Sequence, residues 1–271
     1  MSIASSPYTD DLRLAHMIAD SVDSQNMSYF RSLDFEVETK PDLSPVTVAD
    51  RQAEELIRSQ LGRVRGRDAV YGEEFGESGS GPRRWVLDPI DGTKNFIRGV
   101  PVWATLIALL DHGEPVVGVV SAPALGRRWW AAQGGGAYTG KSLAQAKQLS
   151  VSKVSAAQDA SFSYSSLDGW RDLGRSRNFL EFTETVWRTR AYGDFWSYCL
   201  VAEGAVDIAA EPELELYDMA ALVPIVTEAG GRFTSLDGDP GCSGANALAT
   251  NGLLHEAALA ALAPDAATPI A

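Results

Sequence analysis

Cysteine is nearly absent from this chain. Cys199 and Cys242 are the only two in 271 residues, too few for a disulfide framework and suited to a reducing compartment. Histidine is as scarce: His16, His112 and His255 are scattered, so no zinc-type cluster is available. Basic residues are outnumbered 23 to 36 by acidic ones, for a formal net charge of −13. That balance argues against a nucleic-acid partner or an anionic membrane surface. A phosphorylated substrate would need local neutralisation, by metal ions or a few placed basic groups. Residues 1–9 lack the basic start and apolar run of a signal peptide, and no stretch approaches transmembrane length. The expectation is a cytoplasmic globular protein, with ordinary apolar and charged fractions. Its length allows one large domain or two small ones.

One stretch organises what is there: Trp85-Val86-Leu87-Asp88-Pro89-Ile90-Asp91-Gly92-Thr93-Lys94. Trp85 to Leu87 read as the end of a buried strand. Asp88 then begins a turn, which Pro89 and Gly92 enforce. Two carboxylates three apart on a stiff turn can converge on one cation, with the Ile90 carbonyl between them. Hard divalent ions such as Mg²⁺ favour such oxygen ligands. Gly92 allows close backbone approach to a ligand. A helix beginning there would aim the amides of Gly92 to Lys94 at an anion. The same letters also describe a plain surface turn.

Earlier in the chain, residues 10–31 read as an amphipathic helix with Thr9 as N-cap and Asp10 and Asp11 at its positive end. Phe35 to Thr39 alternates like a strand, and residues 40–45 form a polar, Pro-rich loop. Thr47 to Leu61 is a second helix, opened by a Thr47-x-x-Asp50 capping box. Ala69 to Tyr71 is a short strand leading into Gly72-Glu73-Glu74, which suits either a metal or a solvated turn.

Downstream, Ala104 to Leu110 and Pro115 to Ser121 form a hairpin, and Arg127 to Ala132 a further strand. Gly134-Gly135-Gly136 and Gly140-Lys141 read as hairpin turns, and Trp129 and Trp130 as packing. A second half starts near Val151. Its strands are predicted over Ala160–Ser165, Val186–Tyr192, Val206–Ala210, Arg232–Ser235 and Ala247–Thr250. Helices are predicted over Arg175–Glu184, from Gly193-Asp194 to about Glu203, from Tyr217-Asp218 through Glu228, and over Leu253–Leu262. Pro224 should kink the third of these. Asp218 is either a cap or a ligand. The alternation of strands, hairpins and helices predicts an α/β protein with mixed sheets layered by helices.

Four motifs then stand in order: Ser44-Pro45-Val46-Thr47-x-x-Asp50, Gly72-Glu73-Glu74, Asp88-Pro89-Ile90-Asp91-Gly92-Thr93, and Asp218 opening a segment that ends Glu228-Ala229-Gly230-Gly231. Together they resemble the inositol monophosphatase family over roughly residues 10–262. The resemblance implies a five-layer αβαβα sandwich and a homodimer. It further implies a single catalytic domain over residues 1–262, with metal motifs in about 10–150 and substrate residues in about 151–262. Residues 263–271 would be a flexible tail. It implies two or three Mg²⁺ ions. Glu73, Asp88 and the Ile90 carbonyl would hold the first, and Asp88, Asp91 and Asp218 the second. Glu74 would support the site or a third ion. Thr93 with Asp50 would position and deprotonate the attacking water, and the Gly92 and Thr93 amides would hold phosphate.

Within that family the chain is most similar to the histidinol-phosphate phosphatase branch. Lys94 and the run Arg190-Ala191-Tyr192-Gly193-Asp194-Phe195-Trp196 carry this likeness. A substrate with a cationic amine and an imidazole would want carboxylates, and Asp194 and Glu211 can supply charge-assisted hydrogen bonds. Lys94 and Arg190 would add phosphate contacts or hold those acids. Asp194 could equally be the N-cap of its helix, with Arg190 as its ion-pair partner. Residues 39–42 are expected in a loop closing over the metals. The expected substrate is a small phosphorylated metabolite: histidinol phosphate in histidine biosynthesis, or alternatively inositol-1-phosphate or a broader set of sugar and nucleotide phosphates. A non-catalytic regulator is the reading from another class.

Overall fold

The computed structural model describes residues 6–32, 37–39 and 45–265. Helix α1 (Thr9–Ser32) buries Leu12, Ala15, Ile18, Ala19 and Val22 along one face, at the spacing of an amphipathic helix. Thr9 lies within its first turn, and its hydroxyl donates to the Ser6 carbonyl at 2.7 Å. It is therefore not the N-cap that the sequence suggested. Strands β1 (Val37–Thr39) and β2 (Pro45–Thr47) pair antiparallel. The predicted strand start at Phe35 and the loop over 40–44 lie outside the described residues. Helix α2 (Val48–Val64) begins at a capping box in which Thr47 and Asp50 bond reciprocally, as Thr47-x-x-Asp50 predicted.

The large sheet comprises β3 (Ala69–Gly72), β4 (Gly76–Ser78), β5 (Arg83–Asp91), β6 (Ala104–Asp111), β7 (Glu114–Ala122), β8 (Arg127–Ala132), β9 (Gly136–Ser142) and β10 (Gln145–Gln148). Its order is β10-β9-β8-β7-β6-β5-β3-β4, with β3 and β5 parallel and the other pairs antiparallel. A short helix, α3 (Thr93–Ile97), follows β5. The small sheet holds β11 (Ser161–Ser163), β12 (Arg188–Arg190), β13 (Ile208–Glu211), β14 (Arg232–Thr234) and β15 (Ala247–Thr250) in the order β12-β11-β13-β15-β14. The remaining helices are α4 (Ser176–Thr185), α5 (Asp194–Ala202), α6 (Leu216–Met219), α7 (Leu222–Glu228) and α8 (His255–Ala261).

Period-two alternation sorts these elements into layers. On β5 and β6, Trp85, Leu87, Ile107 and Leu109 pack with Leu12, Ile18, Ile57 and Leu61 of α1 and α2. Their neighbours Val86, Leu106 and Ala108 point the other way, into a cluster with Phe195, Cys199, Leu222 and Val226 of α5 and α7. That cluster also takes Ala209, Phe233 and Ala249 from the small sheet, so residues on both sides of Val151 build it together. The small sheet's opposite face sets Phe162, Ile208 and Leu248 against Phe179, Phe182 and Ala258 of α4 and α8. The result is the αβαβα stack. Trp129 and Trp130, both fully buried, pack on opposite faces of the large sheet.

Three further local readings differ from the sequence-based ones. Asp88 does not begin a turn; β5 runs on through Asp91. Gly140 and Lys141 lie inside β9, where a Cβ on Gly140 would come within 2.0 Å of the Gln145 carbonyl. The glycine there serves strand approach, and the turn falls at 143–144. The helix expected from Asp218 through Glu228 is two helices, broken at Ala220-Ala221. Asp265, inside the tail expected over 263–271, is tied to the fold: its carboxylate accepts the Asn178 amide at 2.9 Å and the Arg177 amide at 3.1 Å, capping α4 from outside, while residues 266–271 lie outside the described residues.

Candidate active site

Parallel β3 and β5 deliver their C-terminal ends together, with Gly72 opposite Leu87. Glu73 follows β3, and Asp88 and Asp91 finish β5. In a regular strand, residues three apart face opposite ways. Here Asp88 pairs with Leu106 and Asp91 with Ala104, so three steps on β5 match two on β6. That bulge turns both carboxylates to one side. The Pro89 carbonyl at its centre accepts Thr105 Oγ1 at 2.8 Å and Asn26 Nδ2 at 3.3 Å, both fully buried donors. Helix α6 brings in Asp218, whose Oδ2 accepts the Glu215 amide at 2.7 Å.

One oxygen from each of Asp88, Asp91 and Asp218 lies within 4.8 Å of the others. Burial, followed by the charges of Glu73 and Asp91, holds Asp88 well above the usual carboxylate range. Burial, then Asp194 and Asp218, does the same for Asp91. Asp218 is pushed up to about 7, again chiefly by burial. Asp88 Oδ1 is buried with no hydrogen-bond partner. Orphaned and crowded carboxylate oxygens fit a hard divalent cation. Ile90 also offers its carbonyl here, which accepts the Thr93 hydroxyl at 2.9 Å.

Asp50 reaches the same edge from α2. Its Oδ2 accepts the Thr47 amide at 2.8 Å and the Thr47 hydroxyl at 2.6 Å. Its Oδ1 stands 3.4 Å from Thr93 Oγ1, so the capping carboxylate also reaches Thr93. Burial raises Asp50 to about 6. Glu74 is close enough for its charge to add to that rise. Gly92 takes a φ of +81°; a Cβ there would meet the Val102 carbonyl at 2.9 Å. Phe96 and Trp103, edge to face at 4.9 Å, anchor the segment beneath.

Two adjoining cavities of about 280 and 460 Å³ open on this edge and share Lys94, Ser165, Ser166 and Asp194. The smaller is lined by Asp91, Asp218, Asp194 and Glu211, the larger by Glu73, Gly92 and Thr93. Among the described residues, Lys94 is the one basic residue lining either. Asp194 is not the N-cap of α5: Gly193 is, and Asp194 is helical residue one with φ +50°. Its carboxylate accepts Asn95 Nδ2 at 3.0 Å and is raised to about 6 by burial. Glu211 is buried at the end of β13, bonded to the Ser165 hydroxyl, and raised by burial to about 8. Arg190 is exposed, donates to the Thr189 carbonyl at 2.7 Å and lines neither cavity. Among the described residues it makes no ion pair with Asp194. Of the loop expected over 39–42, Thr39 ends β1 and the rest is outside the described residues.

Sequence reasoning passed over Asn26, Thr105, Asn95, Ser165 and Glu54. Only Glu54 left a local signal: it lies one helical turn after Asp50, on the same face of α2.

Residues 11–267 match the inositol monophosphatase family. The chain belongs to that family. It is 64% identical to a histidinol-phosphatase of Streptomyces coelicolor, covering 92% of this chain and 95% of that one. A histidinol-phosphatase of Mycobacterium tuberculosis is 59% identical, covering 93% and 98%. A solved IMPase from Thermotoga maritima superposes with a TM-score of 0.83 at 28% identity, covering 93% of this chain and 96% of its own. Among the described residues, no helix is long and apolar enough to cross a membrane.

Proposed function

We propose that this protein is a Mg²⁺-dependent phosphate monoesterase that hydrolyses L-histidinol phosphate to L-histidinol and phosphate, a step of histidine biosynthesis. One observation carries the choice of substrate. The smaller cavity is lined by Asp91 and Asp218 together with four further acids, Asp168, Asp194, Glu211 and Glu213, while Glu73 and Thr93 line the adjoining one, with Asp194 shared between the two. A molecule with phosphate at one end and cationic groups at the other matches that layout; the hydroxyls of inositol phosphate can also donate to Glu211, so the discrimination falls to Asp194, where a cationic group makes the stronger, charge-assisted bond. The names carried by the two high-identity relatives point the same way.

In this reading Glu73, Asp88, Asp91, Asp218 and the Ile90 carbonyl would hold two Mg²⁺ ions, with Glu74 supporting them or a third. Bound there, the ions supply charge neutralisation for the phosphate and a lowered pKa for water. The chain's own residues do the rest. Thr93 orients a water through its hydroxyl, and Asp50 takes up the proton. The amides of Gly92 and Thr93, with Lys94, hold phosphate oxygens. Asp194 and Glu211 accept hydrogen bonds from the amine and imidazole. Uncatalysed phosphate-monoester hydrolysis is slow enough that enzymes supply accelerations up to ~10²¹, so charge placement dominates. The same reading includes a homodimer in the cytosol, which sedimentation and cell fractionation would check.

The test is phosphate release with Mg²⁺, histidinol phosphate against inositol-1-phosphate at equal concentration. Strong preference for the first is the expected result. Preference for the second would retain the metal chemistry and overturn the roles of Asp194 and Glu211. Release from neither would overturn the substrate class.

A further inference from the structure

We propose that Glu54 is a positioning residue that fixes the turn carrying Glu73 and Glu74, and thereby sets how tightly the site holds its metal. The inference rests on the metal-dependent reading above.

Glu54 is fully buried in the second turn of α2, away from both cavities. A buried carboxylate is expensive unless its oxygens are well matched. Its Oε2 accepts the Glu74 amide at 2.7 Å, and its Oε1 accepts the Phe75 amide at 3.3 Å. Arg58, one turn along α2, donates Nε to Oε1 at 2.7 Å and Nη1 to Ser78 Oγ at 2.8 Å. Arg58 also reaches the Gly76 carbonyl. The pair therefore clamps the whole β3–β4 turn from one side. From the other side, the Glu73 amide donates to the Leu87 carbonyl of β5 at 3.2 Å.

Gly72 completes the fit. A Cβ there would lie 2.1 Å from Glu54 Oε1 and 2.3 Å from its carboxyl carbon. The carboxylate fills the space that any other residue at 72 would need. One rigid helix thus presents Asp50 to Thr93 and, a turn later, Glu54 to the backbone of Glu74. Partners that orient metal-facing acids typically shift metal affinity 10–100-fold when lost.

Glu54→Gln keeps the shape and removes the charge. Its amide nitrogen cannot accept, so either a backbone N–H or Arg58 faces a donor. Titration calorimetry of the metal-free protein with Mg²⁺ alone should show Kd weakened by ~10-fold or more. In turnover of 4-nitrophenyl phosphate, half-saturating Mg²⁺ should rise by the same factor, with kcat at saturating Mg²⁺ within about threefold of wild type. Gly72→Ala, which displaces the Glu54 carboxylate and keeps its charge, should weaken metal binding in the same sense. Ile57→Ala, a buried change on α2 that leaves the turn untouched, should lower Tm with Kd unchanged. Wild-type metal affinity in Glu54→Gln or, if that variant fails to fold, in Gly72→Ala would overturn the proposal. So would equal weakening in Ile57→Ala, since a purely structural role would give it. If the wild-type chain itself bound no Mg²⁺, the metal-dependent reading would fail before Glu54 came into question.

Discussion

Asp91 Oδ2 accepts the amide of Phe195 at 2.7 Å. A residue of the large sheet therefore caps a helix of the middle layer, and that helix begins with Asp194. The bond ties the acid cluster to the acid proposed to face the substrate. Asp91→Asn keeps an acceptor for Phe195 and removes the charge. Asp91→Ala removes both. Each should abolish turnover, and the alanine should be less stable than the asparagine by about 1 kcal/mol, the usual worth of a helix cap. Chemical denaturation of the two variants without metal checks this; equal stabilities would mean that the cap contributes nothing.

The raised acids make stability depend on pH in a definite sense. Asp50 and Asp194 stand at about 6, Asp218 at about 7 and Glu211 at about 8. Unfolded carboxylates titrate near ~4. Between those values the folded chain holds protons that the unfolded chain has lost, so stability falls as pH rises. Metal-free protein should therefore melt at a lower temperature at pH 8 than at pH 5. Mg²⁺ binds the ionised acids and should raise Tm much more at pH 8. Asp88→Asn removes one of the crowded charges, so its metal-free melts should vary less with pH and its turnover should vanish. Melts with EDTA and with Mg²⁺ at both pH values decide the matter.

Asp194 offers a test of recognition separate from chemistry. Asn95 holds its carboxylate at 3.0 Å, and Asn95 in turn donates to the Val102 carbonyl at 2.9 Å. A charge-assisted hydrogen bond is worth about 1.5–3 kcal/mol, or ~10–100-fold in affinity. Asp194→Ala should raise KM for histidinol phosphate by that factor. For 4-nitrophenyl phosphate, which has no cationic end, the change should stay within about threefold. Equal losses on both substrates would place Asp194 in maintenance of the site and remove it from recognition.

Much of this site was legible in the chain, for reasons of chemistry. Asp88-Pro89-Ile90-Asp91-Gly92-Thr93 combines two acids with a restricted and a permissive backbone, a pattern that a plain turn can share and that the three other motifs, in order along the chain, turn toward a site. The layering was legible too, because Trp85, Val86 and Leu87 are all apolar and a strand apolar on consecutive residues must be covered on both faces. Long-range contacts hid the remainder. Gly140 looked like a turn residue and proved to be a close approach to Gln145. Arg190 looked like a partner for Asp194, but it ends β12, exposed and outside both cavities. Glu54 went unread, since nothing local says that Gly72 makes room for it.

Pro224 is the clearest case of a residue whose local reading was half right. Proline clashes with the carbonyl four residues back, which here is that of Ala220. The structure answers by ending α6 at Met219 and starting α7 at Leu222, so Pro224 sits in a first turn where its missing N–H is no loss. The break has a further use. It lets the Ala221 carbonyl and the Pro224 ring settle directly on β7 at Gly118, where an added Cβ would lie 2.1 Å from the first and 2.8 Å from the second. Gly118→Ala should therefore force α7 off the sheet, at an overpacking cost of about 1–3 kcal/mol. That corresponds to a fall in Tm of several degrees, at about 2–4 °C per kcal/mol. The shorter contact is to backbone, so adding Pro224→Ala should recover only a minority of the loss. Full recovery in the double variant would show that the proline ring, and not the broken helix, sets the spacing between α7 and the sheet.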